Sequence, residues 1–147
     1  ILRVVKAITR KVRQKFSKSK YKVTLGIFVT TRIRCSDNSG AKVLFVIGVF
    51  KSGSRLNKIP GACPGSMVIA SVKKGKTKLR KSIVSAIIIR QKKSWRRSNG
   101  SHISFEDNAC VLVTLKGDLK GNHIIGPVAL ESASVWPRIS TAAKGIL

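Results

Sequence analysis

Residues 83–115 read IVSAIIIRQKKSWRRSNGSHISFEDNACVLVTL. The apolar runs at 83–91 and 111–115 have the length and the β-branched content of buried strands. Asn99-Gly100, between them, is a dipeptide typical of tight hairpin turns. We therefore expect residues 90–104 to form a projecting β-ribbon with basic side chains near its tip.

Short apolar runs bounded by turn residues continue outward from this stretch. The further predicted strands are 23–35, with Gly26 as a candidate break, 43–50, 67–72 and 102–105. Five or more short strands with regular turns favour a small barrel or sandwich over a helical bundle. A barrel also removes the exposed edges that a β-rich chain otherwise presents.

The sequence changes character after Gly126-Pro127. Residues 128–135 are helix formers with Glu131 near their start, and residues 137–143 form a second candidate helix before Gly145. We therefore predict a mainly β protein that ends in short helices.

Charge is the most unusual property of the composition. Lys and Arg number 30 against 5 Asp and Glu, giving a formal charge of +25. Residues 1–22 and 73–97 are rich in these bases and contain no acid. Because a solvated surface normally mixes both signs, such blocks favour contact with phosphates. The chain is also 43% hydrophobic, which separates it from a disordered basic tail. A polyanion is the expected partner.

The 147 residues fit one domain preceded by an extension. Residues 1–22 space apolar side chains three and four positions apart among Lys and Arg, a basic amphipathic helix pattern. An RNA-bound extension and an organelle-targeting segment both fit this pattern. We assign residues 1–22 to a basic N-terminal extension and residues 23–147 to the β domain.

Residues suited to catalysis or metal binding are few. Glu106 and Asp107 are adjacent, so on a strand they face opposite sides and do not form an acid and base pair. The three cysteines are far apart and form no Cys-x-x-Cys pair, which suggests neither a disulfide framework nor a zinc site. Apolar runs fall short of the ~20 residues that span a bilayer. We expect no catalysis, cofactor, metal or membrane partner.

Two alternatives stay open from the residues alone. Gly75-Lys76-Thr77 ends a segment that resembles the phosphate-binding loop of nucleotide hydrolases, although Ala70 stands where the first glycine is required. A free nucleic-acid chaperone is the other alternative, because the charge alone permits it.

A spaced pattern in the opening stretch is more specific than charge. Its members are Ala86-Ile87-Ile88-Ile89, Asn99-Gly100, Phe105, Asn108 and Val111-Leu112. Together with the runs 35–42 (CSDNSGAK) and 55–58 (RLNK), this pattern resembles the universal large-subunit ribosomal protein family numbered fourteen. The resemblance runs from about Tyr21 to the end, and Trp136-Pro137-Arg138-Ile139 resembles the archaeal and eukaryotic cytosolic branch.

The resemblance implies a five-stranded β-barrel with a projecting ribbon and short C-terminal helices. It implies a cytoplasmic protein bound to large-subunit ribosomal RNA, on the face that meets the small subunit. Further implied partners are neighbouring large-subunit proteins, the small subunit through a bridge, and an anti-association factor that blocks premature joining.

Site residues follow from the resemblance by position. RNA contact is implied for Arg55, Asn57, Lys58, Lys73, Lys74, Lys76, Lys78, Arg80, Lys81, Arg90, Lys92, Lys93, Trp95, Arg96 and Arg97. Trp136 and Arg138 are implied at the subunit-joining or factor surface. For Trp95, stacking on an exposed base and packing against the ribbon are both open.

Turn geometry alone accounts for another set, which we expect to be structural: Asp37, Asn38, Gly40, Asn99, Gly100 and Asn108. Three positions depart from the family pattern. Pro64 and Ser66 replace a usual Val and acid, and Cys110 replaces a common Gly.

Overall fold

The computed structural model describes residue 21, residues 23–53 and residues 55–147. The predicted basic extension, residues 1–22, lies outside the described residues apart from Tyr21. The described chain forms strands followed by two helices: β1 (Ile27–Phe28), β2 (Arg32–Cys35), β3 (Ala41–Val49), β4 (Gly61–Ala62), β5 (Met67–Gly75), β6 (Ile83–Arg90), β7 (Trp95–Arg96), β8 (His102–Ile103), β9 (Ala109–Val113), α1 (Leu130–Val135) and α2 (Pro137–Ala142).

Five of these strands close into a barrel in the order β2-β3-β5-β6-β9. Neighbouring strands are antiparallel except at the seam, where β2 and β9 run parallel. There Arg34 lies opposite Ala109, and Cys35 lies opposite Cys110. The five-stranded barrel implied by the resemblance is confirmed.

The core has two parts, one on each side of β6 and β9. Side chains such as Leu44, Ile88 and Leu112 fill the barrel interior. Ile87 and Val111 point to the other side of the wall, where they belong to a cluster with residues of the C-terminal segment. Because both faces of β6 and β9 are covered, their sequences are continuously apolar instead of alternating.

The predicted strand over residues 23–35 is wrong as a single element. Residues 23–26 lie in no strand, so β1 begins directly after Gly26, and a turn at Thr30, which has a φ of 79°, separates β1 from β2. Gly26 also allows a close approach: a Cβ there would lie 2.5 Å from Cδ of Gln91. Its N–H donates to Oε1 of Gln91 at 3.0 Å.

Two other strands differ from prediction in length. β5 continues three residues past Val72 to Gly75, because Lys74 and Gly75 pair with Val43 and Ala41 of β3. β8 ends at Ile103, short of the predicted Phe105. The predicted ribbon is present as the antiparallel pair β7 and β8.

The two predicted C-terminal helices are present as α1 and α2. Pro137 opens α2, a position where its missing N–H removes no helical hydrogen bond. Of the helices that the structure describes, none has the length and apolar character to cross a membrane.

Candidate nucleic-acid interface

The turn between β5 and β6, residues 76–82, is fixed by its own backbone. The N–H groups of Leu79 and Arg80 donate to the carbonyl of Lys76 at 2.9 and 3.2 Å. The N–H of Lys81 donates to the carbonyl of Val72 at 2.9 Å. Leu79 packs against the barrel core and anchors the turn. Its cations are all exposed: Lys76, Lys78, Arg80 and Lys81.

Glycines let this turn lie close to the β2–β3 connection. Gly75 has a φ of 151°, and a Cβ there would be 2.7 Å from the carbonyl oxygen of Gly40. The same carbonyl accepts the N–H of Lys76 at 2.9 Å. The Lys76 side chain then crosses the open face of Gly40.

This geometry excludes the phosphate-binding-loop alternative for Gly75-Lys76-Thr77. Such a loop joins a strand to a helix, whose N-terminus receives the phosphates. Here the segment ends β5 and enters a hairpin turn that leads directly into strand β6.

A second group of cations lies on the outer face of β2 and β5. Arg32 and Arg34 are exposed, whereas Ile33 between them is buried, so both arginines point away from the core. Arg34 lies opposite Val43 of β3, which lies opposite Lys74 of β5. Residues opposite each other share a face of the sheet, so the two cations are on the same side.

Phe45 links the rest of this group. It lies opposite Arg32 in the β2–β3 ladder. The ammonium of Lys73 sits 5.1 Å from the centroid of its ring, within cation–π range. We call the following residues the cationic face: Arg32, Arg34, Lys73, Lys74, Lys76, Lys78, Arg80 and Lys81.

The sequence interpretation missed Arg32 and Arg34, which lie outside both acid-free blocks. The signal was present in the alternation Arg-Ile-Arg-Cys, because a strand with one buried face places every second residue outward. Reading residues 23–35 as one long strand hid this short amphipathic element.

The ribbon behaves differently from the cationic face. Trp95 is only 1% exposed, and its Nε1 donates to Oε1 of Glu131 at 3.0 Å. Arg97 makes a two-point pair with the same carboxylate, Nε to Oε1 at 2.8 Å and Nη2 to Oε2 at 3.0 Å. The ribbon is thereby fastened to α1.

Glu131 remains ionised in this buried position. Burial alone would raise its pKa, but the hydrogen bonds from Arg97 and Trp95 outweigh burial and leave the pKa below its usual value. Both oxygens of this carboxylate accept hydrogen bonds from within the protein, two from the arginine and one from the indole.

Arg90 at the end of β6 is likewise internal. It is 7% exposed. Its Nε donates to Asp107 at 2.8 Å, and Nη2 donates to the Ser36 hydroxyl at 2.8 Å. Nη1 donates to the carbonyls of Ile125 and Pro127 at 3.0 and 2.9 Å. Arg90 joins four segments of the fold.

The predicted RNA-contacting residues therefore divide into two classes. For Trp95, the packing alternative is the one that the structure has, because its buried ring offers no face to a base. Arg90 and Arg97 are committed to carboxylates of the fold. The other members on or beside the ribbon have exposed side chains: Lys92, Lys93 and Arg96.

The loop between β3 and β4 presents its predicted residues outward. Arg55, Asn57 and Lys58 are exposed. Asn57 has a φ of 62°, and the N–H of Lys58 donates to the carbonyl of Arg55 at 3.1 Å, so the three form a tight turn.

The two residues predicted at the joining surface, Trp136 and Arg138, differ in exposure. Trp136 is 8% exposed, and its Nε1 donates to the carbonyl of Gly65 at 2.8 Å. This hydrogen bond fixes α1 and α2 to the turn that contains the unusual Pro64. Arg138 is exposed and approaches Asp118 at 3.8 Å. Of the pair, Arg138 is the one that reaches the surface.

The residues predicted to be structural are confirmed in that role. Asp37 accepts the N–H of Leu112 at 2.7 Å, and the Asn38 side chain accepts the N–H of Asn122 at 3.0 Å. Asn108 accepts the N–H of Lys92 at 2.8 Å. Asn99 accepts Ser101 N–H, and Gly40 and Gly100 have positive φ of 99° and 86°.

Comparisons with known proteins identify the family of this chain. The family model described as ribosomal protein L14p/L23e matches residues 26–147. Large ribosomal subunit protein uL14A of Saccharomyces cerevisiae is 50% identical over 123 residues, 84% of this chain and 90% of the relative. Large ribosomal subunit protein uL14 of Candida albicans is 50% identical over 125 residues, 85% and 91% of the two chains. The chain therefore belongs to the ribosomal protein L14p/L23e family.

Proposed function

We propose that this protein is a structural constituent of the large ribosomal subunit and binds ribosomal RNA through the cationic face. The distribution of charge supports this proposal. Asp37, Asp107 and Glu131 are bonded within the fold, whereas the members of the cationic face are exposed cations on a rigid strand and turn framework. A fixed array of cations suits the backbone of folded RNA, which is recognised by shape and phosphate position.

Membership of a ribosomal protein family agrees with the predicted structural, non-enzymatic role. We place the protein in the cytoplasmic ribosome, since its fungal relatives carry the names of large ribosomal subunit proteins. The loop with Arg55, Asn57 and Lys58 and the exposed Lys92, Lys93 and Arg96 extend the proposed RNA contact. Neighbouring large-subunit proteins complete its surroundings.

Arg138 is the residue that we propose for the subunit-joining surface. Its exposed guanidinium stands on α2, on a framework that Trp136 fixes from within. The bridge to the small subunit and the anti-association factor belong to this surface in our proposal, whereas RNA of the large subunit occupies the cationic face.

Incorporation into ribosomes tests the RNA contact. Lys78→Ala with Arg80→Ala removes two cations from the turn without touching its backbone hydrogen bonds. We expect the double variant to be under-represented in large subunits when it is co-expressed with tagged wild-type protein and particles are separated by sedimentation.

The matched control removes the same charge elsewhere. Lys116→Ala with Lys120→Ala also deletes two exposed cations, but outside the cationic face. Equal incorporation of both double variants would contradict the proposed surface. Recovery of the wild-type protein mainly free of large subunits would instead support the chaperone alternative and contradict the ribosomal role itself.

A further inference from the structure

Two cysteines face each other across the seam of the barrel. Cys35 of β2 lies opposite Cys110 of β9 in the parallel ladder. The N–H of Arg34 donates to the carbonyl of Asn108 at 3.0 Å, and the N–H of Ser36 donates to the carbonyl of Cys110 at 2.9 Å. These two bonds flank the pair, so the register that opposes the cysteines is fixed.

The spacing of this pair is compatible with a covalent bond. Neighbouring strands lie about 4.8 Å apart, and disulfide-linked residues have Cα atoms roughly 4.4–6.8 Å apart. Opposite residues send their side chains to the same face of a sheet, and both cysteines contact the same interior cluster. The two thiols donate to different acceptors, Cys35 to Oδ1 of Asp37 at 3.2 Å and Cys110 to the carbonyl of Arg34 at 3.4 Å.

We propose that Cys35 and Cys110 form a reversible disulfide that locks the β2–β9 seam when the protein meets hydrogen peroxide. This modification site is independent of RNA binding, because both residues belong to the barrel wall and neither is part of the cationic face.

The two thiols differ in the role that their surroundings allow. Cys35 is partly exposed, whereas Cys110 is fully buried at 0%. The neighbouring Cys35 side chain and burial raise the pKa of Cys110 well above its usual value. Since a buried, protonated thiol does not attack peroxide, Cys35 reacts first and Cys110 resolves the product.

The chemistry balances in two steps. The sulfur of Cys35 attacks one oxygen of hydrogen peroxide and the O–O bond breaks, so Cys35 becomes a sulfenic acid while the second oxygen leaves with the proton of the Cys35 thiol as water. The sulfur of Cys110 then attacks the Cys35 sulfur, and the hydroxyl departs with the Cys110 proton as a second water. Two thiols are oxidised by two electrons, and one peroxide is reduced to two waters.

When the disulfide forms, Oδ1 of Asp37 loses one hydrogen bond but keeps other donors. The thiol of Cys35 donates to its Oδ1 at 3.2 Å, and this bond is lost on oxidation. The N–H and the hydroxyl of Ser39 still donate to the same oxygen, at 3.2 and 2.5 Å. The turn after β2 therefore keeps its hydrogen bonds in the oxidised protein.

Mass spectrometry of the full-length protein tests this site. After brief treatment with hydrogen peroxide and alkylation of free thiols, we expect a tryptic cross-link between peptides 35–42 and 98–116, which contain Cys35 and Cys110. Dithiothreitol should abolish it. The disulfide would close a loop with 74 residues between Cys35 and Cys110. A cross-link over a loop of that length should raise Tm by roughly 10 °C.

Variants separate the roles of the two cysteines. In Cys110→Ala, oxidation should stop at the Cys35 sulfenic acid, which dimedone traps, whereas in the wild type little adduct should accumulate. Cys63→Ala is the matched control, because Cys63 hydrogen-bonds to Ser66 in another turn and its loss should leave the cross-link intact.

Three results would overturn the proposal. The first is equal dimedone labelling of Cys35 in the wild type and in Cys110→Ala. The second is a disulfide that joins two molecules, seen as a dimer on a non-reducing gel. The third is an oxidised wild-type protein with a lower Tm than the reduced one, because a cross-link that fits the seam does not weaken it.

Discussion

At the scale of single residues, Glu131 is the carboxylate on which the position of the ribbon depends. It accepts hydrogen bonds from Nε1 of Trp95 and from Nε and Nη2 of Arg97. Glu131→Gln keeps the shape but removes the charge, so we expect unfolding to become easier by about 2 kcal/mol at pH 7, the range for hydrogen bonds to charged groups. Chemical denaturation measures this difference.

The pH dependence follows from the lowered pKa of Glu131. The folded protein holds the proton less tightly than the unfolded chain, whose glutamates titrate near pH ~4.3. The stabilisation is therefore complete above that pH and is lost as the pH falls below it. The difference in the free energy of unfolding between wild type and Glu131→Gln should therefore become smaller in acid. Glu106 is exposed, so Glu106→Gln should have the same free energy of unfolding as the wild type at every pH. A gap that widens in acid would contradict this account.

The burial of Trp95 and Arg90 and the ion pair of Arg97 with Glu131 are what sequence reasoning at this scale could not supply. Their positions in a basic, turn-flanked stretch correctly predicted a ribbon. Their partners are Glu131 and Asp107, and Glu131 lies more than thirty positions away, so no local pattern indicated that these cations were already neutralised. Asp37 was predictable because its Oδ1 accepts the N–H of Ser39, the local bond of a turn. Asn108 accepts the N–H of Lys92, sixteen positions away, which turn chemistry does not indicate.

At the scale of elements, the turn 76–82 depends on how closely Gly75 approaches Gly40. Gly75→Ala would place a Cβ 2.7 Å from the Gly40 carbonyl oxygen, in a backbone conformation that L-residues rarely adopt. We expect a loss of about 1–3 kcal/mol in the free energy of unfolding. RNA affinity should fall as well, since the cations of the turn lose their fixed positions.

Gly53→Ala is the control for this substitution. A Cβ at Gly53 meets nothing within 4 Å, so its stability should remain within about 0.5 kcal/mol of the wild type. Equal Tm values for Gly75→Ala and Gly53→Ala would show that the close approach of the Gly75 and Gly40 backbones does not stabilise the turn.

Strand lengths show which parts of an element the sequence determines. The continuous apolar runs at β6 and β9 predicted buried strands correctly, because both of their faces are covered. The break at Thr30 was not visible, since a positive φ at a β-branched residue goes against local preference. The polar end of β5 was missed because Lys74 and Gly75 pair with β3 although Lys73 and Lys74 are exposed.

At the scale of the whole molecule, the two signs of charge are separated. Asp37, Asp107 and Glu131 bond to segments of the fold, whereas the members of the cationic face are exposed. If about eight phosphates are contacted, the logarithm of RNA affinity should fall with the logarithm of salt concentration at a slope near −7, by analogy with duplex DNA. A flat salt response would contradict phosphate binding.

Arg32→Ala with Arg34→Ala tests whether the missed arginines belong to this surface. Loss of two phosphate contacts should make the salt slope shallower by about 2. Filter binding to large-subunit ribosomal RNA across a salt series measures the slope. The Lys116→Ala, Lys120→Ala variant should keep the wild-type slope, and identical slopes for all three proteins would remove β2 from the interface.

The parallel pairing of β2 with β9 also bears on the order of folding during synthesis. Cys35 and Cys110 meet at this seam although 74 residues separate them in the chain. Contacts between such distant positions form slowly, because the entropy of closing a long loop is lost before they stabilise anything. During synthesis, β2 leaves the ribosomal exit tunnel long before β9 is made, because 74 residues lie between the two cysteines. The nascent barrel therefore stays open along one edge until β9 emerges.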